Sequence, residues 1–130
     1  MRREVLFLID GEGRILWSDA STSPVALPDS RARWEAIWGL RAQLAEIAHS
    51  HPVGPLAFSE EDETTMEALI QALGKRPRFS VVAPEGMLVR DHEGHESRAA
   101  QEPWWAQLLR LASGMLEGAG PEPSLEGPPG

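Results

Sequence analysis

The chain has no cysteine. That excludes disulfides, thiolate metal sites and a cysteine nucleophile. Any zinc must then be held by histidine and carboxylate. Long apolar runs are also lacking. None approaches the ~20 residues that a membrane-spanning helix needs. The opening MRREVLFLIDGEG makes no signal peptide, because its apolar stretch Val5–Ile9 is short and stops at Asp10. Positive charge is scarce: 12 Lys and Arg stand against 20 Asp and Glu, for a net charge of −8. A general nucleic-acid binder would want a basic face, so that class is set aside. These absences lead to the expectation of a cytoplasmic protein with no nucleic-acid or membrane partner.

With 130 residues, 42% of them hydrophobic and 25% charged, the chain can bury one core of its own. The last stretch, GAGPEPSLEGPPG, is dense in Gly and Pro and has one large apolar residue, Leu125. It reads as a disordered tail over residues 118–130, leaving one domain over 1–117. EVLFLID at 4–10 is apolar on both alternating faces, which suits a buried strand. DGEG at 10–13 is a hairpin turn signal, with a return strand at 14–19. Residues 20–28 read as loop. Asp29 or Ser30 can cap a helix running to about Gln43, with Trp34, Ile37 and Trp38 at helical period and Trp34 and Trp38 on one core-packing face. LAEIAHS at 44–50 reads as a strand. Residues 60–73 read as a helix with Met66, Leu69, Ile70 and Leu73 on one face, and Gly74 as its C-terminal cap. RFSVVA at 78–83 and GMLVRD at 86–91 form a hairpin. Residues 91–102 look like loop, and Pro103 opens an amphipathic helix to about Leu116. The order β-β-α-β-α-β-β-α predicts an α/β or α+β domain, a mixed central β-sheet flanked by helices.

The stretch HSHPVGPLAFSEED at 49–62 concentrates the chemistry. Alternate residues of an extended segment point the same way, so His49 and His51 can face one site. A helix starting after Ser59 can turn Asp62 toward them. Two imidazoles and a carboxylate leave a fourth tetrahedral position open, the pattern of a catalytic zinc site. Each piece also has a plainer meaning. An H-x-H is common, and Ser59-x-x-Asp62 is a capping box in its own right.

The whole string resembles the signature of the JAMM (MPN-plus, JAB/Mov34-type) zinc metallopeptidases: H-x-H-P, seven residues from the second His to a Ser, then S-x-x-D. The family's upstream pattern E-x-x-G-x-L-x-G is met in outline by EVLFLIDG at 4–11. Glu4 and Gly11 keep the spacing, and Phe7 stands where a small residue is usual. The resemblance covers roughly residues 1–95. It implies the cytidine-deaminase-like JAMM/MPN fold and one Zn2+ per chain, held by His49, His51 and Asp62. It implies Glu4 as general base and Ser59 as oxyanion donor. It implies hydrolysis of a peptide or isopeptide bond after the C-terminal Gly-Gly of a ubiquitin-like (β-grasp) protein. The chain is similar to the minimal prokaryotic members, being too short for the two insertions of eukaryotic ones. Only three residues of this sequence precede Glu4, so the family's leading helix is expected to be absent or its space filled by another element, for which the helix at 103–116 is a candidate.

Other readings stay beside this one. MPN domains without metal serve as scaffolds, and some members act only within a complex. A zinc deaminase fits poorly, since it would want cysteine ligands. Glu12, in the DGEG turn, is a rival base without the family context. His92 and His95 form an H-x-x-H in a polar segment. Of Trp104 and Trp105, one is expected in the core and the other either packed or at a partner contact.

Overall fold

In the computed structural model, residues 2–23 and 30–115 are described. The strands are β1 (Val5–Asp10), β2 (Ile15–Ala20), β3 (Leu44–Ser50), β4 (Arg78–Ala83), β5 (Gly86–Arg90) and β6 (Glu96–Arg98). The helices are α1 (Arg31–Gly39), α2 (Glu60–Leu73) and α3 (Trp104–Ala112). One mixed sheet runs in the order β2-β1-β3-β4-β5-β6. Only β3 and β4 are parallel; the other neighbours are antiparallel. A parallel pair needs a crossover, and α2 supplies it.

The strand β1 is central because both its faces are apolar. Val5, Phe7 and Ile9 pack with Trp105, Ala106 and Leu109 of α3 on one side of the sheet. Leu6 and Leu8 pack with Ile37 of α1 and with Met66 and Leu69 of α2 on the other. The result is a mixed α/β fold with helices on both faces. The β1–β2 turn closes as its sequence requires. The Asp10 carboxylate accepts the backbone N–H groups of Glu12 and Arg14, each at 2.9 Å, and Gly13 takes φ +83°. Among the described residues no helix is long and apolar enough to cross a membrane.

Four expectations change. The first helix ends at Gly39 rather than near Gln43. Its buried stripe is Arg33 and Ile37, one turn apart, which leaves Trp34 at the edge and turns Trp38 outward, 53% exposed. There the Arg41 guanidinium covers the Trp38 ring at 3.9 Å. Within 91–102, residues 96–98 form the edge strand β6, all three exposed. Backbone pairing with β5 makes this strand, so ESR carries no apolar pattern to announce it; charge suits an edge. The last helix stops at Ala112, with Ser113 as cap and Gly114 at φ +86°. Leu116 and the tail at 118–130 lie outside the described residues. Trp105 is 1% exposed, while Trp104 is 63% exposed and donates its Nε1–H to the Gly13 carbonyl at 2.8 Å.

Candidate metal centre

Ile47 belongs to the core layer under α1 and α2, and extended alternation carries His49 and then His51 onto the same face. The chain stays extended past β3 because His51 N–H donates to the Val82 carbonyl at 2.8 Å. It then turns. Gly54 N–H bonds the His51 carbonyl at 2.9 Å, with Gly54 at φ +74°. Ser59 caps α2 in a full capping box: Asp62 N–H donates to Ser59 Oγ at 3.0 Å, and Ser59 N–H donates to Asp62 Oδ2 at 2.8 Å. The cap that starts the helix thus also fixes the Asp62 carboxylate toward the histidines.

Three donor groups converge. His49 Nε2 lies 3.1 Å from His51 Nε2. Asp62 Oδ1 lies 3.2 Å from His49 Nε2, and Asp62 Oδ2 lies 3.3 Å from His51 Nε2. A tetrahedral ion with bonds of about 2.0–2.1 Å holds its ligand atoms about 3.3–3.4 Å apart, near these spacings, with a different Asp62 oxygen facing each imidazole in the donor triangle. The tautomer fits as well. His51 Nδ1 is 3.0 Å from the Pro55 carbonyl, which can only accept, so Nδ1 carries the proton. That leaves the Nε2 lone pair of neutral His51 facing the triangle, the usual outer support of a metal-binding imidazole.

Glu4 comes to the same place through the sheet register. Leu6 pairs with His49, so in an antiparallel pair Glu4, two residues back and on the same face, comes opposite His51. Its backbone is held on the other side, with Glu4 N–H on the Ser23 carbonyl and Ser21 N–H on the Glu4 carbonyl, both at 2.8 Å. Glu4 is buried and lines the same cavity as His49, His51, Ser59 and Asp62. Burial pushes its carboxyl above the usual range, and the two histidines pull it only partly back. Burial also works against the charged forms of Asp62 and His51. It is outweighed at Asp62 by both imidazoles and the Ser59 N–H, which hold that carboxyl far below its ordinary value. At His51 it is outweighed by Asp62, the Pro55 carbonyl and Glu4, so the imidazole lies above its ordinary value. The Ser59 side chain accepts from Asp62 N–H, which leaves its O–H able to donate.

Ser50 lies between the two histidines in the sequence. It is fully buried, points to the opposite face, and its Oγ accepts Val5 N–H at 2.9 Å. It therefore ties the strand after Glu4 to the strand that carries the histidines. A hydroxyl at an inward position of an extended segment was the available signal, since a buried hydroxyl needs a partner. Arg90 was missed too. It grips Glu63, next to Asp62, through two bonds of 2.6 and 2.8 Å, and lies 4.7 Å over the Phe58 ring in the loop before Ser59.

The other candidates part from the site. Glu12 is exposed in the turn at the far end of β1, where it pairs with Arg14. His92 and His95 do not converge. His92 Nδ1 bonds the Arg76 carbonyl at 3.0 Å, while His95 sits with Asp91 and Glu93 in an exposed turn. No protein-family model matches the chain, and a search of curated proteins finds no match for it.

Proposed function

We propose that the chain is a zinc-dependent peptidase or isopeptidase of the JAMM/MPN-plus type, with the cytidine-deaminase-like fold of that family. Its bond would be the one after the C-terminal Gly-Gly of a ubiquitin-like β-grasp protein. The observation that carries this reading is the convergence of His49, His51 and Asp62 within 3.1–3.3 Å beside the buried carboxyl of Glu4. The substrate class rests on the likeness of HSHPVGPLAFSEED to the family signature.

His49 Nε2, His51 Nε2 and one Asp62 oxygen would hold the ion. When bound, zinc supplies Lewis acidity and makes water acidic enough to attack near neutral pH. Glu4 takes the proton of the attacking water and passes it to the leaving amine. Ser59 O–H donates to the carbonyl oxygen as negative charge grows there, a contact whose loss typically costs about 10²–10³ in rate.

The test is zinc stoichiometry on purified protein, beside His51→Ala and Glu4→Ala, followed by cleavage of Gly-Gly-ended fusions. One zinc in the wild type, lost in His51→Ala and kept in Glu4→Ala, is the expected result. Wild-type protein that takes up no zinc at neutral pH would sink the hydrolase reading in favour of a scaffold.

A further inference from the structure

We propose that the cavity beside the metal centre is a specificity subsite for one large apolar side chain, carried by the residue that follows the cleaved bond. This inference rests on the hydrolase reading above. The cavity has a volume of about 340 Å³. One end is formed by the metal centre itself. Away from it, among the described residues, the apolar lining includes Leu6, Trp34, Ile37, Ile47, Met66 and Phe79.

The same elements build both ends. Leu6 follows Glu4 by two residues on β1, and Ile47 precedes His49 by two on β3. Strand alternation therefore continues the polar centre directly into an apolar floor. Met66 follows Asp62 by one turn of α2, and Ile37 of α1 lines the same cavity. Arg33 also lines the cavity, but Asp19 engages its guanidinium at 3.4 Å. Glu61 and Thr65 line it from exposed positions on α2.

This wall selects by chemistry. A charged or amide side chain entering it would give up water for aliphatic and aromatic carbon, which is unfavourable without a partner. A leucine or phenylalanine side chain gains by the same transfer. The volume lies within the range of small-ligand pockets, ample for either. Glycine before the bond offers no side chain to fill the space. We assign the occupant to the amine side, so the fitting linear substrate is Gly-Gly followed by a large apolar residue.

Alkyl hydroxamates test this without turnover, because the head group seeks the metal and the tail probes the cavity. Zinc-loaded wild-type protein would be titrated calorimetrically with acetohydroxamate, 4-methylpentanoyl hydroxamate and 3-phenylpropanoyl hydroxamate. The two larger ligands are expected to bind at least tenfold more tightly than acetohydroxamate. Ile37→Phe and, separately, Met66→Phe should shrink that advantage. Gly-Gly-Leu and Gly-Gly-Phe fusions should be cut at least tenfold faster, in kcat/KM, than Gly-Gly-Asp. Equal affinity for all three hydroxamates on a protein that holds zinc would overturn the subsite and leave the metal centre standing. Failure to hold zinc would overturn the hydrolase reading and the subsite with it.

Discussion

Asp62 serves two masters, since one carboxylate closes the capping box of α2 and completes the donor triangle. This coupling shapes the pH response. In the metal-free protein the raised His51 contributes stability that is complete below its ordinary value of 6.5 and lost as pH rises through its higher folded value. The lowered Asp62 contributes stability that is present above its ordinary value of 3.8 and lost as pH falls through its lower folded value. Metal-free wild type should therefore exceed His51→Ala in melting temperature most clearly between these two values. Melts across pH check this, and a gap that widens steadily above neutrality would contradict it. On the proposed reading zinc would also have to displace a proton from His51, so its affinity should begin to fall at a pH above 6.5 as the solution is acidified. Competition with a chromophoric chelator reads that directly. On the proposed peptidase reading Ser59 is equally double, as helix cap and as oxyanion donor. Ser59→Ala should lose about 1 kcal/mol of stability with the cap, as well as about 10²–10³ in rate with the donor. Ser59→Thr keeps a hydroxyl and should recover most of both in melts and turnover assays.

At the level of elements, the site depends on how β1 is locked to β3. Ladder pairing ends at Leu6 and His49, and beyond it Ser50 Oγ takes over by accepting Val5 N–H. Ser50→Ala would leave that buried N–H without its acceptor, at a cost of about 1–3 kcal/mol. The expected outcome is faster hydrogen exchange at Val5 with little change at Leu8, and zinc still bound. Unchanged exchange at Val5 would show that the strand end is held by other means. Much of this level was readable in advance. Residues 44–50 and 60–73 fall where alternation, helical period, the Ser59 cap and Gly74 put them, because each signal is local. Trp38 and β6 were not readable. The first depends on which stripe of α1 meets the sheet, and the second on a neighbouring strand with free backbone groups.

For the molecule as a whole, the two apolar layers have separate tasks. The layer under α1 and α2 carries the histidines and the cavity, and the layer under α3 anchors the sheet from behind. Arg3 clasps the end of α3, with its backbone N–H on the Ser113 carbonyl at 3.0 Å and Nε on the Ala112 carbonyl at 3.1 Å. Leu109→Ala should therefore cost about 2–5 kcal/mol of global stability. Zinc affinity at a temperature where the variant is folded should stay near that of the wild type. Denaturant melts and chelator competition together check both parts. A large loss of zinc affinity in the folded variant would mean that the layers are not separable.

The sequence by itself determined the donor types, their spacing and the strand and helix that bear them. With cysteine absent, histidine and carboxylate were the remaining zinc donors, and extended alternation put His49 and His51 on one face. Tertiary structure decided what spans long separations in the chain. It brought Glu4 across from His51 through antiparallel register, gave Ser50 its partner 45 residues away, and walled the cavity with side chains from β1, β3, β4, α1 and α2. The physical reason is that periodicity and capping are settled among neighbours within a few residues. Register, burial and the shape of a cavity are settled only when distant surfaces close on one another.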